Sequence, residues 1–198
     1  MSPTGLSRFR MILWGLVVIA ALGATALFVF SPPRNPATTG LGGGTYALTT
    51  ATGQPVDQTM LTGKPSLLFF GYTHCPDVCP TTMAEMVDWF GRLGPDADKV
   101  RAYFVTVDPE RDTTAVLGDY VSWTDGKVTG ITGSRAEIDK IAAAWKVLGE
   151  KVGEGSDYTM NHTASVFLVN AQGGFEGTIA YGEDADTAVA KIRKLVGA

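Results

Sequence analysis

Only two cysteines occur in this chain of 198 residues, and they stand four apart in Gly71-Tyr72-Thr73-His74-Cys75-Pro76-Asp77-Val78-Cys79-Pro80. The segment follows an apolar run and leads into a helical pattern, a junction at which thiols become reactive. A cysteine at a helix N-terminus faces unpaired amides and the positive end of the helix dipole, which favour the thiolate. Cys75 is expected to feel this most. Residues at i and i+4 of a helical turn have Cα atoms about 6 Å apart, within the range a disulfide accepts. The same spacing lets both sulfurs face one metal ion. Three chemistries are therefore open: a structural disulfide, a redox couple or a soft-metal site. A thioredoxin-type redox motif places two residues between its cysteines. The three found here relax the disulfide geometry and ease chelation by both sulfurs.

A metal held by two thiolates needs a further donor, and the chain has two histidines. His74 adjoins Cys75, but neighbours in an extended-to-helix turn point apart, so solvent or a supporting contact is its expected place. His162 lies in Tyr158-Thr159-Met160-Asn161-His162-Thr163, immediately before the apolar run SVFLVN (165–170). In a thioredoxin-like arrangement, the loop entering that strand lies beside the dithiol helix, so His162 can complete a set of two cysteines and one histidine. Thiolates select soft ions and an added imidazole also suits Cu(II), so copper fits these donors. Zinc accepts the same donors but usually takes a fourth ligand in a structural site. Met83, Met86 and Met160 read as core residues, and Asp77 as a solvated turn residue.

The elements that must position these residues alternate. Tyr46 to Thr50 reads as a short strand before a turn at Gly53-Gln54-Pro55, and Lys64 to Tyr72 as a turn followed by a buried central strand. Met83, Met86, Val87, Phe90 and Leu93 recur at helical spacing over Thr81 to Leu93. Val100 to Val107 is a second apolar strand, ended by Asp108-Pro109, and Thr113 to Trp123 is helical. Thr129 to Gly133 holds a very short strand. Ser134 caps a helix to about Leu148, with Glu137 at the capping-box position. Ser165 to Asn170 and Gly177 to Tyr181 flank a turn as a hairpin, and Asp184 to Val196 is a closing amphipathic helix. The order β-α-β-α-(β)-α-β-β-α, with a dithiol at the first strand-to-helix junction, predicts an α/β thioredoxin-like sandwich over 45–198.

The first forty residues are different material. Met11 to Phe30 is a run of twenty residues without a charge, about 30 Å long as a helix, which matches a hydrocarbon core. Arg8 and Arg10 precede it and only Arg34 lies close behind, so the charge bias places 1–10 in the cytoplasm and the body on the extracytoplasmic, periplasmic side. A retained single-pass anchor over 11–30 is expected; the competing reading is a cleaved signal peptide with a small-residue site at Ala24-Thr25-Ala26. Residues 31–44, rich in Pro, Gly and Thr, read as a flexible tether. The net charge of −4 argues against a nucleic-acid partner, which would require a basic face.

Together, GYTHCPDVCPTTM, VTVDPERDT and YTMNHT resemble the Sco/SenC family of copper-binding proteins. The resemblance implies a membrane-tethered thioredoxin-like domain that helps build the dinuclear CuA centre of cytochrome c oxidase. By motif it implies Cys75, Cys79 and His162 as copper ligands, with a CuA-bearing oxidase subunit as partner and a periplasmic copper donor or thiol reductase as a further one. Asp108, Arg111 and Asp112 match the family's DxxRD segment, placed to contact a partner or to brace the copper loop. An aspartate often precedes the ligand histidine in this family, whereas this chain has Asn161. The alternative function is a thiol-disulfide oxidoreductase acting on partner cysteines or peroxide, in which Cys75 attacks and Cys79 resolves.

Overall fold

The strand that ends at the cysteine loop is buried throughout: all six residues of β3 (Ser66–Gly71) are enclosed, and after Ser66 the run is apolar. Alternate strand residues point to opposite faces, so a strand buried at every position lies in a sheet covered on both sides. In this computed structural model, which describes residues 3–30, 40–155 and 157–197, β3 occupies that place. It pairs in parallel with β4 (Arg101–Thr106) from Ser66 opposite Arg101 to Gly71 opposite Thr106. On its other edge it runs antiparallel to β8 (Val166–Val169).

The sheet is completed by β1 (Ala47–Thr50), β2 (Pro55–Asp57), β5 (Val128–Thr132) and β9 (Phe175–Ile179), in the order β2-β1-β5-β4-β3-β8-β9. Among the described residues, this body contains the α-helices α2 (Val78–Leu93), α3 (Thr114–Val121), α4 (Arg135–Ala144) and α5 (Ala185–Val196). The result is the expected mixed α/β, thioredoxin-like fold. The strand β2 goes beyond the expected turn at 53–55: Gly53, at φ +83°, reverses the chain so that β2 pairs antiparallel with β1.

Several boundaries differ from the sequence expectation: the last strand runs Phe175–Ile179 rather than Gly177–Tyr181, the helix expected over Thr113–Trp123 is α-helical only over Thr114–Val121, and two helix ends beside the site move. Helix α2 begins at Val78 rather than Thr81, so Cys79 and Pro80 are in its first turn while Cys75 precedes it. Pro80 does not stop the helix because first-turn amides have no intrahelical partner to lose. Helix α4 ends at Ala144 rather than Leu148. Trp145 is wholly buried at its C-cap and Lys146 turns the chain at φ +52°. The chain then enters a hairpin absent from the expectation, β6 (Gly149–Val152) and β7 (Thr159–His162), which forms a sheet of its own. All four residues of β6 are exposed, so it carries no alternating apolar signal. Ser134 caps α4 as expected, but Glu137 accepts from the Ala47 N–H of β1 rather than closing the capping box.

The chain divides into two units, residues 1–34 and 35–198. The first contains the helix α1 (Pro3–Phe30), 28 residues long, whose described side chains are exposed. Among the described residues, no helix is long and apolar enough to cross a membrane. The expected tether lies outside the described residues up to 39. Its last part packs on the body: Gly42 is buried and donates its N–H to the Ala144 carbonyl at 2.7 Å. Ordered packing thus begins ahead of Thr45.

Candidate metal centre

Three side chains from three segments converge at the end of β3. Cys75 comes from the loop after the strand, Cys79 from the first turn of α2, and His162 from the last position of β7. One donor atom from each lies within 4.8 Å of the other two. Cys79 is wholly buried, while Cys75 and His162 are half-buried. Both cysteines are free thiols. The Cys79 backbone N–H donates to the Cys75 sulfur at 3.4 Å, so an otherwise unpaired first-turn amide is aimed at that thiol.

The tautomer of His162 is set by its neighbour. Its Nδ1 lies 3.1 Å from the Thr163 carbonyl oxygen, which can only accept, so Nδ1 carries the proton. The lone pair of Nε2 is left facing the Cys79 sulfur at 3.4 Å. Tyr72 and Phe69 meet the ring edge-on, with centroids 5.7 and 6.2 Å away. Burial pushes the imidazole pKa below its usual 6.5, opposed by backbone contacts at Thr163 and Phe70. The ring is therefore neutral near pH 7, the form that ligates a metal.

Cys79 departs from the simple helix-dipole expectation. Its pKa is pushed up, first by burial, with a backbone contact at Tyr72 opposing. Desolvation of a wholly enclosed thiol outweighs the first-turn amides. Cys75 opens with His162 and Asn161 onto a shallow surface depression of about 240 Å³, which Met160, Pro76 and Val78 also line.

Asp108, Arg111 and Asp112 stand outside this donor cluster and contact the segments that carry it. Asp112 is wholly buried and accepts from the Thr73 N–H at 3.0 Å, the Thr73 hydroxyl at 2.6 Å and the Thr106 hydroxyl at 2.5 Å. It thereby ties the loop before Cys75 to the end of β4. Asp108, also wholly buried, accepts from the Tyr158 hydroxyl at 2.7 Å and from Arg111 Nε at 2.5 Å. Arg111 Nη1 donates to the Tyr158 carbonyl at 3.0 Å, and its guanidinium lies 3.6 Å from the centre of the Tyr158 ring.

His74 is largely exposed, bonded to its neighbour Thr73 and 3.9 Å from Asp112, and stands outside the donor cluster. Met83, Met86 and Met160 are core residues. Sequence reasoning missed Tyr72, Thr73, Thr106 and Tyr158. Their partners lie as many as 50 residues away, and no local periodicity points to them.

The SCO1/SenC family model matches residues 34–197. Among curated proteins, the mitochondrial SCO1 homolog of Homo sapiens is 36% identical over 141 residues, covering 67% of this chain and 46% of that protein. Mitochondrial SCO2 of Saccharomyces cerevisiae is 31% identical over 160 residues, covering 79% of this chain and 53% of that protein. The chain thus spans about half the length of these curated relatives. Among solved structures, ScoI of Bradyrhizobium japonicum with copper bound is 42% identical, with a TM-score of 0.71 covering 77% of this chain and 98% of that one. ScoI of Arabidopsis thaliana with copper bound is 31% identical, with a TM-score of 0.72 covering 78% and 97%. With a family match across nearly the whole body and the same fold in solved relatives, the chain belongs to the SCO1/SenC family.

Proposed function

We propose that this protein is a membrane-tethered copper carrier. Cys75, Cys79 and His162 hold one copper ion as cargo and pass it to the CuA-bearing subunit of cytochrome c oxidase during assembly. The observation that carries this reading is the convergence of two thiols and an imidazole within 4.8 Å, with His162 Nε2 directed at the Cys79 sulfur. Two thiolates and one neutral imidazole suit copper in either common oxidation state. The relatives with copper bound support the same cargo. Because Cys75 and His162 border a shallow depression, incoming ligands can replace the donors one at a time. The oxidase partner follows from the family resemblance. The anchor is read from the sequence alone: the uncharged run Met11–Phe30, preceded by Arg8 and Arg10, would leave the body outside the cytoplasm.

A second reading rests on the geometry of the thiols themselves. Cys75 is reachable and Cys79 stands close behind it, an arrangement in which Cys75 attacks a partner disulfide and Cys79 resolves the mixed disulfide. Oxidation of the pair also gates metal binding, since a disulfide cannot ligate copper as two thiolates.

The test is a Cu(I) competition titration of the reduced full chain in detergent against a chromophoric chelator. His162→Ala and Cys75→Ser are each expected to weaken binding by more than the roughly 10–100-fold that outer contacts cost. The copper reading fails if His162→Ala binds as tightly as wild type. Thiol exchange that survives His162→Ala and vanishes in Cys75→Ser identifies the oxidoreductase instead.

A further inference from the structure

His162 stands on a hairpin that is set apart from the main sheet. Hairpin β6–β7 is a separate two-stranded sheet, β6 is exposed at every position, and Gly153 and Gly155 adopt φ +104° and +74° between its strands. Two-stranded hairpins are marginal in water without further packing. The inner side of this one is held at Tyr158, Met160 and His162. Tyr158 is the most heavily bonded of the three. Its hydroxyl donates to Asp108, its carbonyl accepts from Arg111, and its ring is stacked by the Arg111 guanidinium. From β6, Lys151 adds an ammonium 3.8 Å from the centre of the same ring. Asp108 is in turn fixed at the end of β4, where its N–H donates to the Thr106 hydroxyl at 2.9 Å.

We propose that Asp108, Arg111 and Tyr158 form a latch that positions His162 for the metal by clamping its hairpin to the end of β4. The inference rests on the copper reading above. The three residues act through the strand: Tyr158 lies four residues before His162, about 13 Å along an extended chain. A ligand carried at the end of such a strand is placed no better than the strand's anchor. The same loop, residues 107–113, holds the other half of the centre through the bond of Asp112 to Thr73. One rigid segment after β4 therefore sets the separation between the cysteine loop and the histidine.

The discriminating variant is Tyr158→Phe, which removes one hydroxyl and keeps the ring. Amide hydrogen exchange of the reduced, metal-free full chain is followed at 159–162, with β3 amides reporting whether the body stays folded. Exchange at 159–162 is expected to quicken about tenfold while β3 protection is unchanged. Cu(I) affinity is expected to fall about tenfold, and the hydroxyl loss to have no further effect in a His162→Ala background. Unchanged exchange at 159–162 overturns the latch, as does an equal loss of affinity with and without His162. If His162→Ala binds copper as tightly as wild type, the copper reading is lost, and the exchange result alone then supports or overturns the latch.

Discussion

Gly71, the last residue of β3, lies so close to the Cys79 thiol that a Cβ built on it would sit 2.7 Å from the sulfur. The same atom would lie 2.8 Å from Phe104 Cε2, and both Cys79 and Phe104 are wholly buried. The bare backbone at the strand end is thus the floor on which the deeper thiol rests. Gly71→Ala is expected to destabilise the body by about 1–3 kcal/mol through overpacking. At about 2–4 °C per kcal/mol for a domain of this size, the loss is readable in a thermal melt of the reduced protein. A melting temperature equal to wild type contradicts this contact.

Asp112 should prove a structural residue of the cysteine loop. Asp112→Ala leaves the Thr73 N–H, the Thr73 hydroxyl and the Thr106 hydroxyl without their acceptor. An unsatisfied buried donor costs about 1–3 kcal/mol; the Thr106 hydroxyl is buried and the Thr73 donors part-buried, so a loss on the order of 3 kcal/mol is expected. Asp112→Asn keeps one carbonyl acceptor and should lose less. Denaturant midpoints give the ranking, and alkylation of Cys75 should speed up in the alanine variant. A midpoint and alkylation rate equal to wild type would show that the loop is held elsewhere.

Copper uptake should release a proton from Cys79 and none from His162 at pH 7.5. Burial holds the His162 pKa below 6.5, so its ring is already neutral there, whereas the raised Cys79 pKa keeps that thiol protonated until metal displaces the proton. Affinity therefore falls on acidification. Calorimetry at saturating copper, in buffers of different ionisation enthalpy, should show about one proton fewer for Cys79→Ser and no change for His162→Ala. The depressed His162 pKa also destabilises the metal-free fold as pH falls below about 6.5, because the unfolded imidazole protonates first.

The start of the body can be tested at Gly42. It has φ +90°, and a Cβ there would lie 2.6 Å from Trp145 Cζ2. Gly42→Ala combines a strained backbone with a clash, and is expected either to cost about 1–3 kcal/mol or to detach 40–42. Detachment would appear as loss of exchange protection at residue 42, whose N–H now bonds to Ala144. Full protection together with an unchanged melt would rule out both outcomes.

Much of the frame was legible in the chain because its signals are local. The apolar run of β3, the 3.6-residue recurrence of Met83, Met86, Phe90 and Leu93, the Ser134 cap and the closing amphipathic helix each depend on near neighbours, and each is found where expected. Hairpin β6–β7 was not legible: a strand exposed at every position leaves no alternation to read. Nor was the direction of the Cys79 shift, since a helix start favours thiolate while burial, a property of the whole packed body, opposes it.

The residue types and spacings by themselves singled out Cys75, Cys79 and His162, because soft donors are scarce in this chain and their chemistry belongs to the side chains. Which donor is sealed and which is reachable, which imidazole nitrogen faces the sulfur, and that Asp108 and Asp112 grip opposite halves of the centre were decided only by the fold. Those properties arise from contacts between segments 39 to 83 residues apart, and the chain brings such segments together only by burying the core beneath them.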